Sequence, residues 1–261
     1  MISKRAINLK KKLAAGGISP GIWMSLQSAT TAEVIETAGF DWVLVDSEHA
    51  SFNPETLHHM LMAFKGSETV PIIRVPWNDA VMIKQVLDMG WDGVLVPQTN
   101  TVEEVERAVS ACRYPPQGTR GFGPRRASNY FLEHDEYVKY ANDSVICAIQ
   151  IEHVCGAETI EEIVKIPGVD WIFVGRNDMS GSGGYFLDVE RKELWDIVRK
   201  IFDTATSAGL PCGGAFYSVA DIEKTLDCGC PLVMLGEDMG FLRDGAHGAM
   251  KAFRDVLEKR K

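Results

Sequence analysis

No apolar run in this chain of 261 residues approaches the ~20 needed to cross a bilayer. Basic residues are in short supply: 27 Lys and Arg stand against 36 Asp and Glu, for a formal net charge of −9. That deficit argues against a nucleic-acid or anionic-membrane partner, leaving small molecules as the expected ligands. Lysine is missing from the C-terminal end of every candidate strand, so a Schiff-base mechanism lacks its nucleophile. No Ser/His/Asp or Cys/His spacing stands out, and Cys228-Gly229-Cys230 has no second pair at zinc-ligand distance. The basic N-terminus leads into Leu13-Ala14-Ala15-Gly16-Gly17, so no secretory signal is expected ahead of the six cysteines. They are expected to be reduced structural thiols of a cytoplasmic protein, with Cys147 and Cys212 inside apolar strands.

What is present is ordinary in composition and regular in pattern. Hydrophobic residues make up 46% and charged residues 24%, enough apolar surface for a large core. Apolar runs alternate with amphipathic stretches throughout. The candidate strands are Gly21–Leu26, Trp42–Asp46, Pro71–Val75, Gly93–Pro97, Ser144–Glu152, Trp171–Gly175, Pro211–Phe216 and Leu232–Gly236. Helical patterns fit Ala32–Ala38, Pro54–Phe64, Asp79–Met89, Val102–Cys112, Gly156–Lys165, Glu190–Ala208, Val219–Asp227 and Gly240–Lys259. Near-continuous apolar strands suit a parallel sheet buried on both faces. The joins Ala38-Gly39-Phe40-Asp41, Met89-Gly90-Trp91-Asp92 and Pro167-Gly168-Val169-Asp170 read as helix ends running into strands. Eight strand–helix units predict a single-domain α/β (β/α)₈ TIM barrel over residues 1–261. The basic segment Met1 to Lys12 is expected as a helix packed under it, and Arg113 to Asn142 as the main insertion.

TIM barrels carry their active sites at the C-terminal strand ends. There the chain places Asp46, Glu48, His49, Arg74, Gln98, Gln150, Glu152 and Asp178. Glu152 and Asp178 close neighbouring strands, so two hard oxygen ligands converge on one mouth and suit a divalent metal (Mg²⁺, Mn²⁺ or Co²⁺). The competing reading is that the two acids only cap the helices that follow. Gln150 points the same way as Glu152, two residues on. Arg74 interrupts an apolar strand, and its guanidinium must find an anion: a substrate oxygen, or Asp46 or Glu48. His49 beside Asp46 is expected to serve general acid–base chemistry, with the carboxylate fixing its tautomer. His58, His59, His134 and His247 are read as structural, and His153 alternates away from the mouth. The exit Leu235-Gly236-Glu237-Asp238 is acidic where barrel phosphate sites use glycines and helix N-termini, which disfavours a phosphorylated substrate.

These stretches carry a family resemblance. Asp41-Trp-Val-Leu-Val-Asp46-Ser-Glu-His49-Ala50 resembles the signature of the HpcH/HpaI aldolases, the metal-dependent pyruvate aldolases. Ile72-Ile-Arg74-Val, Gly93-Val-Leu-Val-Pro97 and Arg113-Tyr-Pro-Pro-Gln-Gly-Thr-Arg-Gly-Phe-Gly123 extend the match. Ile149-Gln-Ile-Glu152 and Val169 to Gly175, through Asp178-Met-Ser180, continue it, in order, over roughly Gly21 to Gly240. The resemblance implies a homohexamer, a trimer of dimers with the last helix exchanged between subunits. It implies Glu152 and Asp178 as metal ligands, Arg74 as the pyruvate-binding arginine and Asp46–His49 as the acid–base dyad. Gln150 would line the pocket, and main-chain groups around Gly175, Asn177 and Asp178 would receive the pyruvate carboxylate. Two positions depart from the pattern: Arg176 stands where many relatives carry proline, and Ala215 where they often carry a larger aliphatic residue.

The implied reaction is cleavage of a 4-hydroxy-2-oxo or 2-oxo-3-deoxy acid to pyruvate and an aldehyde through a stabilised enolate. Related alternatives are an oxaloacetate decarboxylase and a CoA-thioester lyase. A non-catalytic barrel that binds a 2-oxo acid is the alternative outside enzymology.

Overall fold

The computed structural model describes residues 4–51, 53–215 and 218–260. Its strands are β1 Ser19–Met24, β2 Trp42–Asp46, β3 Val70–Arg74, β4 Gly93–Val96, β5 Ile146–Ile151, β6 Trp171–Val174, β7 Cys212–Gly214 and β8 Leu232–Glu237. Neighbours pair in parallel around a closed ring, so the expected (β/α)₈ barrel forms. The helices, in chain order, are α1 Lys4–Ala14, α2 Ala29–Glu36, α3 Pro54–Ala63, α4 Ala80–Met89, α5 Val102–Cys112 and α6 His134–Ser144. They continue as α7 Gly156–Ile163, α8 Arg176–Ser182, α9 Lys192–Ser207, α10 Val219–Asp227 and α11 Asp238–Glu258.

Alternation along the strands builds two cores. Residues such as Val43, Val45, Ile73, Val94, Val96, Ile149 and Ile172 face outward into the helix layer. Trp42, Leu44, Ile72, Leu95, Ala148, Trp171, Phe173, Leu232 and Met234 fill the barrel interior. The interior is therefore packed, and only its ends are open to chemistry. One end is closed by α1, whose Ala6, Leu9 and Leu13 insert into the interior cluster. Residues 1–3 of the expected basic helix, and the expected strand end at Phe216, lie outside the described residues.

The Gly-x-Asp joins have a second purpose that the pattern alone did not expose. Gly39, Gly90 and Gly168 adopt positive φ, as the helix-end reading requires. The aspartates after them then stand at the N-terminal ends of β2, β4 and β6, where the cations of α1 meet them. Lys12 pairs with Asp41, Arg5 with Asp92 at 2.5 Å, and Lys10 with Asp170 at 2.7 Å. Apolar face and charged face of α1 thus lock the same end of the barrel.

Two helices were not foreseen. α6 begins inside the Arg113–Asn142 insertion and runs to Ser144, so β5 starts at Ile146 instead of Ser144. Its Tyr137 and Ala141, one turn apart, bury against Tyr114. The short α8 follows β6 directly. At the other extreme, the 21-residue α11 buries only Asp238 and touches little of the barrel beyond β1 and β8.

Candidate active site

The open end of the barrel holds a cavity of about 930 Å³. Asp46, His49, Arg74, Gln150, Gly175, Asn177 and Asp178 all line it, joined by Trp23, Gln27, Ala215 and Glu237. Expected residues from four separate segments therefore share one cavity, while Glu48, Gln98 and Glu152 are not among its lining residues.

Its centre is an ion cluster set by strand register. Asp46 and Arg74 are register partners on β2 and β3, which places their side chains together on the inner face. Arg74 donates Nε to Asp46 Oδ1 at 2.9 Å and Nη2 to Oδ2 at 2.7 Å, a two-point clasp. Its Nη1 lies 2.8 Å from Glu48 Oε2, in ionic contact. The guanidinium also sits 4.5 Å over the Trp23 ring, which fixes its plane. Burial raises the Asp46 carboxyl, but the Arg74 hydrogen bonds and charge outweigh it and hold that group below the usual range. For Glu48 burial wins over Arg74, and the carboxyl is raised.

The expected pairing of Asp46 with the His49 ring is corrected here. Asp46 Oδ1 accepts from the backbone amides of Glu48 at 3.0 Å and His49 at 3.4 Å, so it shapes the turn that carries the histidine. The His49 ring itself is 67% exposed at the mouth, and its Nε2 lies 4.0 Å from Glu48 Oε2. The physical reason is competition: a buried guanidinium in register with Asp46 takes both carboxylate oxygens before an exposed imidazole can.

Glu152 is buried at 2% exposure just beyond β5. Its Oε1 accepts from the Gln98 amide at 2.7 Å, and its Oε2 from Gln150 Nε2. Gln98 adopts a left-handed φ of 53°, which aims that amide into the site. Asn100 Oδ1 accepts from the Glu152 and His153 amides, both at 2.9 Å, and Thr99 Oγ1 donates to Gln150 O at 3.0 Å. The turn after β4 therefore clamps the end of β5. Asn100 and Thr99 were missed in the sequence because nothing periodic marks a polar residue that serves a neighbouring strand.

Asp178 is the third residue of α8 and lines the cavity, while Gly175 takes the N-cap position without a side-chain bond. Asp178 is thus no helix cap, and the capping reading fails for it. Gly175 is required by space: a Cβ there would come within 2.8 Å of Gln150 Nε2 and of Glu152 Cβ. Burial pushes the Glu152 carboxyl up to about 7; the Gln98 amide opposes this, and the charges of Glu48 and Asp178 add to it.

This arrangement fits a divalent cation. One guanidinium, Arg74, faces four carboxylates: Asp46, Glu48, Glu152 and Asp178. A hard cation between Glu152 and Asp178 would relieve that excess and return Glu152 to its charged form. The buried Gln150 Oε1 has no hydrogen-bond partner among the described residues and is available to a ligand beside them. Among the described residues no group of three or more His, Cys, Asp or Glu gathers at metal-binding distance, so such an ion would keep positions for water and substrate oxygens.

Comparison with known proteins shows the family to which the chain is similar. The family model described as HpcH/HpaI aldolase/citrate lyase matches residues 20–244. A 5-keto-4-deoxy-D-glucarate aldolase of Salmonella arizonae is 37% identical over 245 residues, which cover 94% of this chain and 96% of that protein. A solved HpcH/HpaI aldolase/citrate lyase family protein from Burkholderia cenocepacia superposes with a TM-score of 0.90 at 28% identity, covering 95% of this chain and 99% of its own. The solved citrate synthase SbnG superposes at 0.85 with 30% identity, covering 96% and 98%.

Proposed function

The chain belongs to the HpcH/HpaI aldolase/citrate lyase family and is a metal-dependent carbon–carbon lyase of the class II aldolase type acting on small molecules; from that premise we propose that it cleaves a 4-hydroxy-2-oxo or 2-oxo-3-deoxy acid to pyruvate and an aldehyde. The observation that carries this reading is the charge imbalance at the mouth, where four carboxylates surround one arginine. An anionic 2-oxo acid enters such a site only with a cation, and hard oxygen ligands favour Mg²⁺, Mn²⁺ or Co²⁺.

Glu152 and Asp178 are the residues that would hold the metal. Once bound, it supplies Lewis-acid stabilisation to the oxygen on which negative charge develops. Arg74, fixed by Asp46 and Trp23, places a second positive charge in the same cavity; a charge of this kind is worth several kcal/mol of transition-state stabilisation where water is scarce. His49 at the rim accepts the proton of the substrate 4-hydroxyl during cleavage and returns one during addition. Asp46 supports both groups, through its clasp on Arg74 and its bonds to the His49 turn. Gln150 offers its unpartnered Oε1 to the substrate, and Gly175, Asn177 and Asp178 border the position of the pyruvate carboxylate.

A CoA-thioester lyase is less well supported. Its diphosphate calls for unneutralised cations, whereas Arg74 and Arg176 are each engaged by two carboxylates. Decarboxylation of oxaloacetate would use the same enolate-stabilising groups.

The proposed assembly is a hexamer of three dimers that exchange α11. Support comes from Phe241, Leu242, Met250, Phe253, Val256 and Leu257, which this long helix holds in solvent; Leu242 is 65% exposed and Phe253 57%. A helix so apolar and so unburied is stabilised by a second copy of the chain. All six cysteines are free thiols, which suits the reducing cytoplasm where we place the protein.

The test needs no knowledge of the natural aldehyde. Pyruvate in D₂O, with Mg²⁺, Mn²⁺ or Co²⁺, is expected to exchange its methyl protons in the presence of the protein, and EDTA is expected to stop the exchange. Folded protein that exchanges with none of these metals would overturn the reading.

A further inference from the structure

β1 lies four strands away from β5 in the closed ring, so the wall formed by β8 and β1 faces Glu152 across the mouth. With pyruvate at Glu152 and Asp178, as the reading above has it, the aldehyde portion is left the rest of the cavity, which this wall borders, and one of the wall's residues is out of phase with its strand. Leu232 and Met234 point into the barrel interior, and Leu235 is exposed outside. Strict alternation would send Glu237 outward with Leu235. The register prevents this: Gly21 pairs with Met234 but Trp23 with Glu237, so three steps on β8 oppose two on β1. That is a β-bulge, which re-aims the side chains beyond it. Gly236 absorbs it at φ 150°, and a Cβ there would lie 2.5 Å from the Phe241 ring. Glu237 consequently stands level with the inward-facing Trp23 and lines the cavity.

The re-aimed carboxylate is then held. Ser25 Oγ donates to Glu237 Oε1, and Asp238 accepts from the amides of Ser25 and Met239 at 2.9 and 2.7 Å. Ser25 and Gln27 line the same wall. The arginines that line the cavity are Arg74, engaged by Asp46 and Glu48, and Arg176, whose charge is also engaged. Its Nη1 lies 3.2 Å from Glu190 and 3.3 Å from Asp221, with the guanidinium over the Trp195 ring. Among the described residues this wall therefore presents a carboxyl group with no unengaged arginine beside it. Hydroxyl groups can donate to it, whereas a second carboxylate or a phosphate meets repulsion.

We propose that Glu237, turned inward by the β8 bulge and steadied by Ser25, is a specificity-determining residue that selects uncharged, hydroxylated aldehydes. The inference rests on the aldolase reading above, with pyruvate as the shared partner. In the addition direction, with pyruvate and Mn²⁺, kcat/KM is compared for glyceraldehyde, propionaldehyde and succinic semialdehyde. These differ in carrying hydroxyls, neither group, or a carboxylate.

Wild-type protein is expected to favour glyceraldehyde over propionaldehyde by at least ~10²-fold. Glu237→Ala is expected to shrink that ratio by about tenfold or more, as loss of a charged hydrogen-bond acceptor should. Glu237→Gln keeps an acceptor but loses the charge, so it is expected to retain the hydroxyl preference and to admit succinic semialdehyde more readily. Should Glu237→Ala fail to fold, Ser25→Ala and Glu237→Gln still report, and selectivity ratios unchanged in both overturn the inference. Wild-type protein that exchanges pyruvate protons yet prefers propionaldehyde or succinic semialdehyde overturns this inference alone. Wild-type protein without exchange overturns the aldolase reading, and this inference with it.

Discussion

Carboxylates line both ends of the barrel, but only one end gives each of them a cation. At the closed end Asp41, Asp92 and Asp170 meet Lys12, Arg5 and Lys10 of α1, and Arg113 adds a second contact to Asp170 at 3.0 Å. At the open end Asp46, Glu48, Glu152 and Asp178 share Arg74, and burial pushes Glu48 and Glu152 up. The closed end uses charge to fix a helix in place, whereas the open end stores an electrostatic deficit that a cation and a substrate can relieve. Strained electrostatics of this kind mark functional sites, while matched pairs mark structural ones.

Substitutions should separate the two ends. Glu152→Gln removes a metal-site charge from the open end and is expected to lower metal-dependent pyruvate exchange by at least ~10³-fold. Exchange rates followed by NMR check this, and activity near wild type would remove Glu152 from the metal site. Arg74→Ala is expected to lower kcat by at least ~10²-fold and to reduce stability by about 3 kcal/mol, since Asp46 and Glu48 lose their partner. Steady-state kinetics and urea unfolding read the two effects separately, and a change confined to KM would make Arg74 a binding residue only.

The third expectation concerns pH. With its carboxyl raised to about 7, Glu152 binds a proton in the metal-free protein as pH falls below that value, and a metal must displace it. Affinity for Mn²⁺, measured by calorimetry, should therefore fall by about tenfold per pH unit below 7 and level off above it. A flat profile between pH 5.5 and 7 would contradict the burial argument. The closed end should respond in the opposite sense. Arg5→Ala is expected to cost about 3 kcal/mol of stability, because Asp92 is buried, while kcat/KM stays within about twofold. The more exposed Lys12–Asp41 pair should matter less, so Lys12→Ala is expected to cost under about 1 kcal/mol. A loss of activity in Arg5→Ala without unfolding would show that the two ends are not independent.

Much of this was legible in the residues themselves. Every strand centre was foreseen, because burial on both faces makes the strands largely apolar, and Gly-x-Asp joins mark where β2, β4 and β6 start. The mouth residues followed from the fold, since parallel order sends Asp46, Arg74, Gln150, Glu152 and Asp178 to one end. What could not be read was register. Asp46 meets Arg74 and not the His49 ring because β2 and β3 align them, a relation across strands that leaves no local pattern. Asn100 and Thr99 serve β5 from the turn after β4, and the same blindness hid them. α6 was obscured by the Pro-, Gly- and Arg-rich stretch before it, although Tyr137 and Ala141 carry a helical spacing.

The extra residue in β8 works as a parity switch. Side chains along a strand alternate in and out, so one inserted position inverts every orientation beyond it. Removing Gly236 would leave Glu237 opposite Trp23 in a regular ladder and keep its carboxylate at the mouth, whereas a slip that paired Gly236 with Trp23 would turn that carboxylate outward. The wall formed by β8 and β1 can thus change character by a slip of pairing, without an exchange of any residue around Glu152 and Asp178. Register at the end of β8 is a route by which this barrel can reshape one wall of its mouth while leaving the opposite wall untouched.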